Sequence, residues 1–345
     1  MISILAFPAS GIPYVDCLYP ALQSCGVEVR EGIFAGRWLL ANLRDVDYVH
    51  IHWPNFFYSR PRILSTFHGF GLFLFLLVLA RWRGVRIIWT VHNLQPHDPC
   101  IIPGLDAAAS WLLIRLATRF FVHGMSAERE VLDRFPRMAG RIVVIDHGHW
   151  QDLYPDTIGR DAARRKLSIN ERDYTFLLIG LCKRYKNLEG LIYAFERLPG
   201  QPALVIAGHF PDKTYETSIR ALIDHSPARI RIRLFPRYIP DEEIQVFLYA
   251  ADAVVVPYLE VLTSGTGLLA LTFGRPLIAP ARGSLKDIVT EDCGLLYNLD
   301  AADGLKETMV AIMSKHFEEA KIRKIATTHD WRKSAQVMVD SLTSA

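Results

Sequence analysis

"AVVVPYLEVLTSGTGLLALTFGRP", residues 253–276, is the stretch that decides the fold. It opens as an uninterrupted apolar run, passes through hydroxyls and glycines at 263–267, and continues as an apolar helical stretch closed by Gly274. An all-apolar strand feeding straight into a helix belongs to a parallel sheet covered on both faces. The turn between them offers the bare N–H groups of a helix start, where the macrodipole adds about half a positive charge. Thr263, Ser264 and Thr266 bring hydroxyls there, and Gly265 and Gly267 let a ligand approach the backbone closely. Hydroxyls and glycines also cap helices that bind nothing. Taken alone, the loop suits a cap and a diphosphate site equally.

The same alternation runs outward in both directions. Strands are expected at 2–7, 48–53, 85–93, 119–124 and 141–148, with helices at 14–26, 69–80, 105–118 and 126–135, the last capped by Ser126. Residues 149–172 are polar and mixed and read as a linker. The pattern then restarts with strands at 174–180, 202–208, 230–235, 253–258, 275–280 and 293–298. Helices are expected at 187–198, at 215–226, at 241–251 with Asp241 as cap, and at 330–342. The fold class is therefore α/β, with two Rossmann-like halves facing each other across a central cleft. In such sheets ligands sit outside the carboxyl ends of strands.

Composition agrees with two domains. A chain of 345 residues, 50% hydrophobic and 22% charged, is packed throughout and long enough for two cores of about 150–180 residues. The balance of 39 Lys+Arg against 36 Asp+Glu leaves +3, with no sustained basic stripe, so nucleic acid is not an expected partner. Basic clusters at 60–62, 81–86 and 137–141 favour an anionic surface or a phosphorylated ligand. The five cysteines (Cys17, Cys25, Cys100, Cys182, Cys293) show no paired spacing, which argues against zinc and disulfides and for a reducing compartment. "MISILAF" reads as a strand rather than a leader, so a cytoplasmic protein is expected. The apolar run 69–80 has twelve residues, short of the about 20 that cross a bilayer. It reads as a buried helix, or as one dipping into the inner face of a membrane with Arg81, Trp82 and Arg83 at headgroup level.

Two further loops carry chemistry. "GLCKRYKN", 180–187, sets Lys183, Arg184 and Lys186 beside Gly180 at the start of a helix. Cations there oppose the dipole unless an anion binds. With 263–267, this makes two strand-end loops of one domain converging on an anion. In the first half, His50, His52, His92, His97, His147 and His149 cluster at three strand ends, beside Trp53, Asn93, Asp98 and Trp150. Their spacing matches no closed metal site. It suits recognition of hydroxyl-rich ligands through His52, Trp53, Asn93, His97 and His149, with Trp53 and Trp150 as stacking surfaces. His92 or Asp98 is the expected general base, and spacing does not choose between them.

At this point the chain resembles the GT-B glycosyltransferases of group 1 (family 4-like), nearest the branch with the xanthan-type β-mannosyltransferase and related exopolysaccharide enzymes. The resemblance rests on "VHIHWP" (49–54), "TVHNLQPHD" (90–98), "HGHWQDLYP" (147–155), "GLCKRYKN" (180–187), "YLEVLTSGTGLLALTFGRPLIAP" (258–280) and "DW" (330–331). It implies an acceptor-binding domain at 1–155, a nucleotide-sugar domain at 165–330, and a terminal helix, 331–345, that returns to the first domain. Lys186 matches the family's phosphate-binding lysine, and 263–267 the segment whose amides hold the donor diphosphate. Two features depart from the pattern. Leu181 stands where the family has arginine, with Lys183 or Arg184 as substitutes. The second of two glutamates falls on Leu269 and the first near Val261, one residue from Glu260, so either Glu291 or Asp287 holds the ribose or no acid does.

The implied activity is metal-independent transfer of a hexose from UDP-glucose, or second from GDP-mannose, to a carbohydrate or lipid-linked saccharide in polysaccharide biosynthesis. No cofactor is expected beyond the nucleotide-sugar co-substrate, which leaves as UDP or GDP. The donor set is Gly180, Lys183, Arg184, Lys186 and Thr263 to Gly267, and Lys186, His92 and Asp98 are the candidate catalytic groups. A sugar-nucleotide epimerase of the same fold and a non-catalytic binding subunit are the alternatives.

Overall fold

The structure, a computed structural model, describes residues 1–344. It divides into two compact units, Met1–Gly148 with the segment from Asp330 onward, and His149–His329. Each is built on one six-stranded, all-parallel sheet.

The N-terminal unit contains β1 (Ile2–Phe7), β2 (Val27–Glu31), β3 (Tyr48–Ile51), β4 (Arg86–Thr90), β5 (Arg119–His123) and β6 (Ile142–Ile145), in the spatial order β2-β1-β3-β4-β5-β6. β3 is buried along its whole length, as a strand covered on both faces must be. The terminal helix Trp331–Thr343 is capped by Asp330, whose carboxylate accepts from the amides of Arg332 and Lys333. It packs on the first helix, Pro13–Ser24. Tyr48 Oη donates to the Leu342 carbonyl at 2.7 Å and Ser334 Oγ to that of Asp146 at 2.8 Å.

The C-terminal unit contains β7 (Thr175–Ile179), β8 (Ala203–Ala207), β9 (Ile232–Phe235), β10 (Ala253–Val255), β11 (Leu277–Pro280) and β12 (Gly294–Tyr297). Their order, β12-β11-β10-β7-β8-β9, reverses direction between β7 and β10. Every residue of β7 and β8 is buried. Phe176, Leu204, Ile206, Phe195 and Ile219 form the heart of the core on one face. The β7/β10 junction is the switch point where ligands of such sheets bind, and it brings the two basic and glycine-rich loops side by side.

Several expectations need correction. The 149–172 segment is no bare linker. It holds the helix Arg160–Lys166, pinned by Arg164, which is 1% exposed, pairs with Asp252 at 2.6 Å and donates to the carbonyls of Ala250, Asn170, Glu171 and Asp173. The apolar 69–80 run is the core of a longer helix, Ile63–Trp82, whose 20 residues are long and apolar enough to cross a membrane by length and composition. Ser126 lies inside the first turn of Met125–Arg134, with Gly124 at the cap. Asp241 is the first helical residue after Pro240 rather than the cap. Strand β2 and the helices Gly36–Asn42, Gly304–Met313 and Glu319–Thr328 add to the expected set.

Candidate functional site

In the C-terminal unit, β7 is followed by Gly180, whose φ of +114° is open to glycine and strained for other residues. A methyl group on Gly180 would stand 3.1 Å from Lys186 Nζ and 3.7 Å from Thr266 Oγ1. Those three residues are therefore gathered around one point. Lys186 is only 5% exposed, its Nζ lies 5.0 Å from the centre of the Tyr258 ring, and it has no salt-bridge partner among the described residues. Desolvating an ammonium without a partner is costly, so this lysine is held ready for an anion. The neighbouring Cys182 thiol is pushed up to about 12 by burial, against the pull of Lys186, and stays protonated.

Opposite Lys186, the helix Gly265–Thr272 begins. Ser264 is its N-cap, and its Oγ accepts from the Gly267 amide at 3.2 Å. The amides of Gly265 and Thr266 are left at the open first turn. Thr263 Oγ1 is buried and has no hydrogen-bond partner among the described residues. Arg184 is turned away from this group. Its guanidinium lies 4.7 Å over the Tyr215 ring and 3.5 Å from Asp212. Lys183 is partly exposed, and Asp287 and Glu291 are exposed beyond β11. Leu269 is buried apolar surface on the helix, so no carboxylate projects from there.

The N-terminal unit presents a different edge. His52, His92, His123 and His147 stand at the carboxyl ends of β3, β4, β5 and β6, four neighbouring strands, so their rings form a row. Consecutive ring centroids lie 5.3, 5.7 and 5.3 Å apart. His50 lies behind His52 at 4.1 Å. All five are at most 8% exposed. Burial, then neighbouring imidazoles, hold His52, His92 and His123 well below the usual histidine range. Burial takes His50 down to about 3. His50, His52, His92 and His123 are thus neutral, and among the described residues no three His, Cys, Asp or Glu side chains converge as a metal site.

A hydrogen-bonded chain threads this row. Thr90 Oγ1 meets His50 Nε2 at 2.8 Å, and Tyr19 Oη bridges His50 Nδ1 at 3.1 Å and His52 Nε2 at 2.7 Å. His52 Nδ1 then meets His92 Nε2 at 3.1 Å. A neutral imidazole has one N–H and one lone pair, so with Tyr19 Oη donating to one histidine and accepting from the other, two proton orders satisfy every link. In one, the protons point toward His92 and its Nδ1 is an N–H donor. In the other they point toward Thr90, and His92 Nδ1 is a bare acceptor. Trp53 stacks on His92 with centroids 4.3 Å apart, and both line a cleft with His52 and Asn93.

The structure thus gathers His52, Trp53, His92 and Asn93 of the expected residues. His97 and Asp98 lie further along the loop and do not line the cleft. His149 belongs to the C-terminal unit, where its amide donates to the His329 carbonyl at 2.8 Å. Trp150 is no stacking surface. It is 6% exposed and its Nε1–H donates to the Gly265 carbonyl at 2.8 Å, bracing the glycine loop from behind. His123 escaped the sequence reading although it ends its strand as the others do. Tyr14 and Tyr19 escaped it as well, and Trp331 entered only through the "DW" motif, with no site role; Tyr14 packs edge-on against His52, His92, His123, His147 and Trp331.

Comparison with known proteins agrees with this architecture. Residues 159–329 match the family described as glycosyl transferases group 1. The chain is 27% identical over 278 residues to a GDP-mannose:glycolipid 4-beta-D-mannosyltransferase of Xanthomonas campestris pv. campestris, covering 78% of this chain and 69% of the relative. It is 23% identical over 324 residues to the O-antigen chain mannosyltransferase B of Escherichia coli, covering 89% and 74%. Anabaena HepE in complex with UDP-glucose shares the fold over 100% of both chains, with a TM-score of 0.72 at 14% identity. Sucrose-phosphate synthase from Thermosynechococcus elongatus does so over 100% of this chain and 97% of its own, with a TM-score of 0.69 at 18% identity. The resemblance read from the motifs is borne out: the chain is a GT-B glycosyltransferase of group 1, near the mannosyltransferase branch.

Proposed function

We propose that the protein transfers a hexose from a nucleoside-diphosphate sugar to a hydroxyl of a saccharide or lipid-linked saccharide in polysaccharide assembly. The observation that carries this reading is Lys186, a buried ammonium with no carboxylate partner beside an open helix start. The bond from the sugar's anomeric carbon to the diphosphate oxygen breaks, and that oxygen keeps the electron pair. Lys186 and the amides of Gly265 and Thr266 meet the developing charge, with Lys183 at the rim. This arrangement supplies the neutralising charge from the chain itself, which favours a metal-independent transfer.

The acceptor hydroxyl gives up its proton to a base. His92 suits that role better than Asp98, because it is uncharged and its Nδ1 is a bare acceptor in one of the two proton orders. Trp53 and Asn93 flank it for the acceptor sugar. GDP-mannose is the first donor to try and UDP-glucose the second. The Xanthomonas relative is named for GDP-mannose and a glycolipid, whereas the likeness to the UDP-glucose-bound protein is one of fold.

Attachment at the inner face of a membrane fits the helix Ile63–Trp82. With about 3.6 residues per turn, its exposed Ile63, Leu64, Phe67, Leu74, Val78 and Trp82 share one apolar stripe, with Arg60, Arg62, Arg81 and Arg83 at its ends. Such a face suits an interfacial position.

Thermal melting with UDP, GDP, ADP and TDP tests the donor reading. One nucleoside diphosphate is expected to raise the midpoint of the wild type, since binding to the folded state stabilises it, and to leave that of Lys186→Ala unmoved. A midpoint shift by none of the four, or an equal shift in Lys186→Ala, overturns it.

A further inference from the structure

A second cavity in the N-terminal unit is left unused by the site above. It measures about 570 Å3, within the roughly 300–1,000 Å3 of small-molecule sites. Leu94, Pro96, Ile114 and Phe135 give it apolar walls. Trp111, 50% exposed, lines it with the Arg115 guanidinium 4.1 Å over its ring. Arg134 and Arg137 line it too, and among the described residues none of the three arginines has a salt-bridge partner. The carboxylate of Asp106, also in the wall, is engaged elsewhere, by Tyr58 Oη and the Cys100 amide at 2.7 Å each.

Two ligand features are thereby asked for at once. Apolar walls of this extent favour hydrocarbon, at about 25 cal/mol per Å2 buried. Three guanidinium groups without counter-ions among the described residues favour an oxyanion, and three forks together suit the several oxygens of a phosphate better than the two of a carboxylate. A free sugar satisfies neither demand. The cavity is also continuous with the His92 cleft, since Leu94, Gln95, Pro96 and Ser110 line both. A ligand anchored here through a phosphate extends its next group toward Trp53 and His92.

We propose that this cavity binds the phosphate and adjoining hydrocarbon of a phosphorylated lipid, so that the lipid carrier of the acceptor, as well as its sugar, is recognised by the N-terminal unit. The identity of that lipid as acceptor rests on the transferase reading above; the cavity's preference for a phosphorylated lipid does not.

Calorimetry on the full chain, with GDP present to fill the nucleotide site, tests it with farnesyl phosphate, farnesol and inorganic phosphate as probes. Farnesyl phosphate is expected to bind at least tenfold more tightly than either of the others. Arg115→Ala/Arg137→Ala is expected to weaken it at least tenfold, and Ala107→Phe, at an exposed position of the cavity wall, to block it. Both variants should keep the wild-type thermal response to nucleotide, which shows that they fold. Affinity for farnesyl phosphate no greater than for inorganic phosphate, or undiminished in both variants, overturns the proposal. Loss of the signal on raising GDP also overturns it, by assigning the probe to the donor site. If no nucleotide shifts the midpoint but farnesyl phosphate binds and depends on the arginines, the donor reading falls and the lipid site stands.

Discussion

The two units put opposite chemistry at the same place in the fold. At the carboxyl edge of the N-terminal sheet stands a row of buried imidazoles, of which burial holds His50, His52, His92 and His123 below the usual histidine range. At the same edge of the C-terminal sheet stand glycines, an open helix start and one buried cation. The first edge presents hydrogen-bonding groups held without charge, and the second presents a positive one. A glycosyl transfer needs both capacities, a lone pair for the acceptor proton and a positive pocket for the leaving diphosphate. The division between the units predicts that acid attacks one and loss of a single cation disables the other.

Acid has the largest expected effect. The unfolded chain takes up a proton on each histidine near pH 6.5, whereas folded His50 resists until about pH 3 and His52, His92 and His123 are also depressed. The unfolded state therefore binds more protons, and stability present above pH 6.5 is lost as pH falls toward 3. Each histidine contributes up to about 1.4 kcal/mol per pH unit, or roughly 5 kcal/mol for the four at pH 5.5. Hydrogen exchange resolved by segment checks this. Amides of β3 and β4 should lose protection between pH 6.5 and 5 while those of β7 and β8 keep theirs. Equal loss in both sheets breaks the comparison.

Next in size is Lys186→Ala. Removing one preorganised partner of a developing anion costs roughly 100- to 1,000-fold in turnover. The fold should be kept or gain stability, because an ammonium that is costly to bury has gone. Steady-state kinetics and a denaturation curve on the same variant separate the two effects. Wild-type turnover in Lys186→Ala removes the lysine from the reaction.

How far these edges were legible follows from what is local in the chain. The glycine loop and the Lys183–Lys186 loop were readable because each lies within one strand-to-helix turn. Their meeting depends on β7 pairing with β10, which strand order supplies. The direction of Arg184 was not readable, because Asp212 and Tyr215, from another loop and helix, draw it aside. The bracing role of Trp150 depends likewise on the distant Gly265 carbonyl. Strand ends revealed His50, His52, His92 and His147, and the same rule applied to β5 would have found His123. Tyr14, Tyr19 and Trp331 carry no such mark; helix packing alone brings them to the row. Strand β2 escaped because "VEVRE" is an edge strand with half-exposed, charged positions.

A smaller effect is expected from His52→Phe, which keeps ring volume and cuts the chain at its centre. Tyr19 Oη keeps His50, but His92 Nε2 loses its partner, at a cost of about 1–3 kcal/mol for a buried polar group left unsatisfied. The proton order on His92 is then no longer set. Turnover should fall, and its pH profile should shift relative to the wild type, while nucleotide affinity in the C-terminal unit stays unchanged. A profile identical to the wild type leaves the chain a purely structural feature.

The smallest effect separates the two readings of the glycine loop. Ser264 Oγ is spent on the Gly267 amide at 3.2 Å, so its first duty is to cap the helix. Ser264→Ala should cost about 1 kcal/mol of stability, and Ser264→Gly only a few tenths. In a unit of this size that lowers the melting midpoint by roughly 2–4 °C. The rise in midpoint on adding nucleotide should survive in both variants, because the ligand meets the amides of Gly265 and Thr266 and not the capping hydroxyl. If Ser264→Ala instead keeps its stability and loses nucleotide affinity tenfold, the hydroxyl belongs to the ligand. The cap would then be a by-product of an anion site, and the C-terminal edge would hold its diphosphate by side chain as well as by backbone.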